Sequence, residues 1–245
     1  MKADVAQQRS LLELTELDAE VGRLEHRAKN LAEQRALDAL VAEHGEANDR
    51  LATVSIALED LDAEVAKFES EIDSVRQRED KDRSMLDSGS VNAKQLTELQ
   101  HELETLQRRQ SSLEDSLLEV MERREELQND QAAQLSSIDD LQSKQSTAQA
   151  ALDHALAAIE QSRHQLSSHR AQLAAVLDAD LLSAYEHQRS RGGPGAGLLQ
   201  GRRCGACRIE IDRGEISRIS AAAEDEVLRC PECGAILLRT KESGL

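Results

Sequence analysis

Four cysteines in a chain of 245 residues stand in two tight pairs, Cys204-Gly-Ala-Cys207 and Cys230-Pro-Glu-Cys233, with 22 residues between them. Two thiolates of one short turn can reach a shared ion at about 2.3 Å, and a second turn from elsewhere in the chain completes a tetrahedron. This is the spacing of a C-x₂-C, C-x₂-C zinc site. Iron in a rubredoxin-like arrangement would use the same ligands, with zinc the default. A redox CxxC would follow a βαβ pattern that the chain lacks, and a disulfide framework would need an oxidising compartment. Four thiolates leave no coordination position for water or substrate, so the expected cofactor is one structural Zn2+.

The flanks of the two pairs read as hairpins. Val227 to Arg229 and Ala235 to Leu238 have strand character around the second pair, and Gly234 is free to take positive φ just past Cys233. Around the first pair the strands would be Leu198 to Arg203 and Arg208 to Ile211. This pair departs from the pattern, because Cys207 is followed by Arg208 rather than glycine. A module of this size has little hydrophobic core, so metal must supply most of its folding free energy.

Arg202, Arg203, Arg208, Arg213, Arg218 and Arg229 crowd around this module, with Arg239 and Lys241 beyond them. Such a cluster could contact phosphates at close range. From residue 198 onward there is no aromatic side chain to stack an unpaired base, and acids from Glu210 to Glu232 are interleaved with the arginines. Recognition of protein and recognition of nucleic acid both stay open.

The rest of the chain must position this module, and its composition is that of long helices. Phe68 and Tyr185 are the only aromatic residues. From Leu96 to Val176, alternating steps of three and four residues visit 24 positions, of which 17 are apolar, with no break in phase. That is a coiled-coil seam. A first arm repeats the pattern in two registers, Leu14 to Leu31 and Leu40 to Val75, out of phase by two positions. A bend or loosened packing is expected near Glu33 to Leu37. Between the arms, Asp87 to Ala93 has turn chemistry: Gly89 suits a left-handed position, and Ser90 or Asn92 can cap the next helix.

Arms of roughly 80 residues, each about 120 Å long, fold back most simply as an antiparallel hairpin with residue i opposite about 181 − i. A parallel dimer of rods is the rival. Gln145 would face the register break, and Arg124, Gln131 and Gln134 are polar seam positions that set register or dock a partner. The expected fold is mainly α, a long antiparallel two-helix coiled-coil hairpin plus a small β zinc-ribbon domain. Residues 1–177 form the hairpin, with its turn at about 87–93. Residues 178–189 form a short helix that folds Tyr185 back, 190–197 a flexible Gly/Pro linker, and 198–245 the ribbon.

Charge and motifs exclude other classes. The net charge of −17 belongs to residues 1–185, with 20 Lys+Arg against 38 Asp+Glu, whereas residues 186–245 carry 10 against 9. The acidic part repels phosphates. No HExxH or phosphate loop occurs, the seven histidines are scattered, and no run of about 18 apolar residues appears. The expectation is a soluble, cytoplasmic, non-enzymatic protein with no small-molecule substrate and no membrane contact. Its protein partners would bind through the coiled coil.

The stretch from Met85 to Asp115, with Leu99-Gln-His-Glu102, Arg108-Arg109 and Glu114-Asp115, together with CGAC and RCPECG, resembles a bacterial family of coiled-coil proteins with a C-terminal four-cysteine zinc ribbon. The resemblance covers nearly the whole chain. It implies an antiparallel hairpin with the ribbon as a second domain. Members of that family carry a nucleic-acid-binding label, and some act as adaptors or chaperones in flagellar regulation or secretion. The implied role is an adaptor or regulator that recognises protein or nucleic acid.

Overall fold

The computed structural model describes residues 1–89, 91–240 and 243–244, so Ser90, one of the two expected caps, and Lys241 lie outside the described residues. The fold is a long helical hairpin with a small strand-based zinc-ribbon region. Two compact units make it up: Met1–Gln34 with Ala150–Leu245, and Arg35–Gln149. The helices are α1 (Val5–Lys29), α2 (Ala32–Asp87), α3 (Ala93–Ala175) and α4 (Ala179–Arg189).

In the unit Arg35–Gln149, α2 and α3 run antiparallel and bury the seam. Ala47, Leu58, Ile72 and Val75 of α2 are buried, as are Leu106, Val120 and Leu141 of α3, every one a heptad position. The same stepping carries on to Glu79 and Asp82, which are also buried. Arg83 donates to one carboxylate oxygen of Glu79 at 3.3 Å, and the other has no hydrogen-bond partner. A buried carboxylate satisfied on one side only weakens a seam.

Polar seam residues are satisfied across the pair. Arg124 Nε donates to Asp62 at 2.5 Å, Gln131 to the Ser55 hydroxyl at 3.2 Å and Gln145 to the Leu40 carbonyl at 3.0 Å, while Gln134 bonds Asp130 of its own helix. Each cross-helix partner lies about one turn beyond the residue that 181 − i would name. The shift is not uniform, since Arg109 of α3 meets Glu71 at 3.8 Å, where the count from the turn places it.

The turn uses glycine and a reciprocal cap. Gly89 sits at φ 64, and the Asn92 side chain accepts from the Gln95 amide at 2.9 Å while the Gln95 side chain accepts from the Asn92 amide at 3.0 Å. This capping box satisfies two donors that α3 would otherwise leave open. Asn92→Ala is expected to cost about 1 kcal/mol. Amide exchange should quicken in the first turn of α3; unchanged protection there would refute the cap's role.

In the unit Met1–Gln34 with Ala150–Leu245, the expected bend falls at Asn30 and Leu31, a few residues before Glu33. Asn30 ends α1 because its side chain donates to the His26 carbonyl at 2.8 Å and its backbone amide to Arg27 at 3.0 Å. Gln145, expected opposite the break, donates instead to the carbonyl of Leu40, inside α2.

Helix α4 starts on Asp178, which accepts from the Asp180 and Leu181 amides, and it turns Tyr185 fully inward. Tyr185 joins Leu11 and Leu14 of α1, Leu181, and Ala196, Ile236 and Leu238 of the ribbon in one core. The Tyr185 hydroxyl donates to Asp18 at 2.7 Å, and Asp18 also accepts from Arg170 of α3 at 2.6 Å. Arg170 bonds Glu186 as well, and Arg189 reaches Glu186 at 3.0 Å. Burial alone would raise the Glu186 carboxyl, but these two guanidinium groups outweigh it and hold it below the usual range. The stability they add is thus present above the carboxylate's unfolded pKa and lost as pH falls through its lowered folded value.

Within the segment 190–197, expected as a linker, the last three residues are packed into the fold and Ala196 opens β1. Gly195 and Ala196 are buried, and a Cβ at Gly195 would lie 2.5 Å from the Tyr185 ring. The glycine is there for close packing rather than freedom. Hairpin and ribbon consequently share a core, and the boundary drawn at residue 198 cuts through it.

Candidate metal centre and ribbon surface

The ribbon is built on a four-stranded sheet in the order β2-β1-β4-β3, formed by β1 (Ala196–Gln200), β2 (Arg203–Cys204), β3 (Leu228–Arg229) and β4 (Ile236–Leu238). The expected strand Leu198 to Arg203 is two strands, because Gly201 at φ 57 turns the chain back and pairs Leu199 with Cys204. Residues 208–211 contribute only a bridge, Arg203 with Glu210. Strand β1 pairs parallel with β4, which brings the two cysteine turns together from distant parts of the sequence.

Each turn is closed by the same bond. The Arg208 amide donates to the Cys204 carbonyl at 2.7 Å, and the Gly234 amide to the Cys230 carbonyl at 2.9 Å. The four sulfur atoms lie within 4.8 Å of one another, with Cys204 to Cys233 and Cys207 to Cys230 each at 3.9 Å. Sulfurs placed about 2.3 Å from a tetrahedral ion would be about 3.8 Å apart. The donor set therefore fits a metal such as zinc. Without a cation it is a poor home for thiolates: burial pushes Cys204 up to about 12 and raises Cys233. Burial acts the same way on Cys207, but there the Ile209 amide and neighbouring thiols prevail and lower it. The positive charge of a bound ion would favour the thiolate forms of Cys204 and Cys233 that burial opposes.

A second core sits directly behind the sulfurs, made of Leu199, Ile211, Ile219, Leu228 and Leu237 with Cys204 and Cys230. Ile219 comes from a helix, α5 (Arg213–Ala221), that strand-based reasoning on the ribbon missed. Its signal was present: Asp212, three residues before Glu215, is a capping pair, and the Asp212 side chain accepts from the Gly214 amide at 2.7 Å. Also missed was the N-terminus, whose Ala3 amide donates to the Asp225 carbonyl at 2.8 Å and whose Met1 carbonyl accepts from Val227 at 3.0 Å. Lys2 and Asp225 close this pairing with a salt bridge at 2.8 Å. Helix α4 reaches the metal turn as well, with buried Gln188 donating to the Cys233 carbonyl at 2.6 Å.

The six candidate arginines divide into two groups. Arg202 is paired with Glu210 at 3.1 Å, Arg218 with Glu215 at 2.6 Å, and Arg229 bonds the Gly234 carbonyl at 3.3 Å. Arg203, Arg208 and Arg213 are exposed, and no side-chain partner holds them among the described residues. Arg239 is structural: its guanidinium donates to the Ile219, Ala222, Ala223 and Glu226 carbonyls and so closes the C-terminal end of α5.

Fold and site together define a coiled-coil hairpin protein with a four-cysteine ribbon. Residues 14–193 match the model of the CT398-like coiled coil hairpin domain, and residues 203–237 that of the C4-type zinc ribbon domain. The chain belongs to the CT398-like coiled-coil hairpin family. It is 64% identical over 239 residues to an uncharacterized protein of Mycobacterium tuberculosis strain H37Rv, covering 98% of each chain. A solved structure from Mycobacterium smegmatis is 64% identical, with a TM-score of 0.87 over 98% of this chain and all of that one. The CT398 structure from Chlamydia trachomatis shares the fold at 19% identity, with a TM-score of 0.69 over 95% of this chain and 97% of its own. No helix among the described residues is long and apolar enough to cross a membrane.

Proposed function

We propose that this protein is a non-enzymatic cytoplasmic adaptor. Its coiled coil engages protein partners, and its ribbon, built around one structural zinc, is a recognition module. The observation that carries this reading is the division of the arginines: three are spent on the ribbon's own carboxylates and carbonyls, while Arg203, Arg208 and Arg213 have no side-chain partner among the described residues, on a module that shares a core with α1 and α4. A saturated Cys₄ site has no open position for chemistry, so what zinc contributes is shape.

The second reading is a nucleic-acid-binding regulator, favoured by the same three arginines. Only a few phosphates could be neutralised by them, the ribbon has no stacking surface, and the chain as a whole is strongly acidic. A salt titration with RNA and duplex DNA separates the readings. An adaptor should bind both no tighter than roughly 10⁻⁴ to 10⁻⁶ M at physiological salt. Tighter binding that is lost in an Arg203, Arg208 and Arg213 triple substitution would overturn the adaptor in favour of the regulator. Pull-downs in which no protein depends on the hairpin would sink the adaptor outright.

A further inference from the structure

The two metal turns make the same bond with different residues. Just past Cys233, Gly234 sits at φ 78; just past Cys207, Arg208 sits at φ 63. Glycine enters that left-handed region freely, whereas a residue with a Cβ meets the following carbonyl oxygen. The first turn thus holds an arginine under backbone strain where its twin holds a glycine. Strain of this kind is sustained where a side chain has a task. The task is not intramolecular among the described residues, for the Arg208 side chain is exposed and bonds none of them.

Its surroundings define what it could meet. Ile209, the next residue, is 49% exposed, a large apolar side chain at the end of the turn. Arg203 on β2 is also exposed, but its bridge partner is Glu210, the acid that Arg202 bonds at 3.1 Å, and the alternation of side chains along the pair turns it away from Ile209. The end of this turn therefore presents one guanidinium group, Arg208, that has no side-chain partner among the described residues, next to one apolar contact, Ile209, on a chain whose net charge is −17.

We propose that the end of this turn is the docking surface for an acidic segment of a partner protein, with a carboxylate on Arg208 and an apolar side chain on Ile209. This rests on the recognition role of the ribbon and names what it recognises. A peptide suits the surface better than a nucleic acid: one guanidinium group releases too few counterions to hold a polyanion, and Ile209 offers an aliphatic contact rather than a stacking face.

Full-length, zinc-loaded protein is titrated into a fluorescent peptide of alternating Glu and Leu, into the same peptide with Lys in place of Glu, and into a single-stranded RNA of equal length. Wild type, Arg208→Gly, Arg208→Asn and Ile209→Ser are compared, with zinc content measured for each. Asparagine tolerates the left-handed region, so that variant removes the charge without the turn. The expected result is binding of the Glu/Leu peptide alone, weakened about fivefold by either Arg208 variant and by Ile209→Ser. Arg208→Gly should in addition raise the ribbon's unfolding temperature.

Unchanged peptide affinity in both Arg208 variants would overturn the proposal. So would loss of zinc in both, which would make Arg208 a counter-charge for the thiolate cluster. RNA binding that falls with these substitutions, without peptide binding, would sink the acidic segment and leave the ribbon's recognition role standing. Failure of both probes would remove that role as well, with the hairpin's partners still decided by pull-down.

Discussion

Chelating the metal is expected to unfold the ribbon and to release Met1–Ala3 and α4 with it, while the helices of Arg35–Gln149 keep their structure. A structural zinc contributes on the order of 10–16 kcal/mol in small domains. The core behind the sulfurs is too small to replace it: besides the cysteines, its buried side chains among the described residues are Leu199, Ile211, Ile219, Leu228 and Leu237. The loss should travel because the contacts are shared. Gln188 of α4 is bonded to the Cys233 carbonyl, Ile236 and Leu238 of β4 lie against Leu11, Leu14 and Tyr185, and the N-terminal residues pair with Asp225 and Val227. Hydrogen exchange should therefore show lost protection at Leu199 and Ile236 and, in the same step, at Leu182 and Ala3. Far-UV ellipticity should fall only slightly, since most helical residues lie elsewhere. Cys204→Ser should reproduce the pattern without chelator. Retained protection at Leu199 and Ile236 in protein with less than about one-tenth of a zinc per chain would refute the metal's structural role.

How much of this was legible depends on whether a feature repeats. The seam is legible because its period recurs over the whole length of α3, and a single exposed or polar position does not erase it. The four cysteines are legible because metal chemistry allows few spacings. Pairing distance is less so: a count from the turn holds at Arg109 but falls about one turn short at Arg124, Gln131 and Gln145. The break at Asn30 was misplaced because heptad phase locates a change of register only to within a turn, while the interruption itself is made by one residue's side chain.

Contacts that do not recur were the hardest to read. The strand-like pairing of Met1–Ala3 and the carbonyl-gathering role of Arg239 depend on partners remote in sequence. Composition assigns Gly192 to Gly197 to a linker because it cannot distinguish glycine used for mobility from glycine used to admit a tyrosine ring. Arg208 shows the same limit from the other side. That Cys207 lacks a following glycine is visible in the sequence, but that the arginine nevertheless adopts the glycine conformation is visible only in the backbone.

Tyr185→Ala is expected to destabilise the unit Met1–Gln34 with Ala150–Leu245 by about 3–5 kcal/mol, the range for deleting a buried aromatic side chain. Tyr185 is fully buried and is the only aromatic residue in that unit, so no neighbouring ring can fill its place. Tyr185→Phe isolates the polar part. It keeps the packing against Gly195 and removes the bond to Asp18, at a cost of about 1–2 kcal/mol. The cost should stay near the lower end, because Asp18 still accepts from Arg170 and is not left as an unpaired charge. Burial raises the Tyr185 hydroxyl above its ordinary value, so it remains a donor throughout the neutral range and the difference between tyrosine and phenylalanine should not vary there. Thermal unfolding followed at the ribbon, with hydrogen exchange at Leu14 and Ile236, measures both variants. If alanine costs no more than phenylalanine, the ring is not what joins α4 to the ribbon, and the shared core must rest on Leu181 and the β4 residues alone.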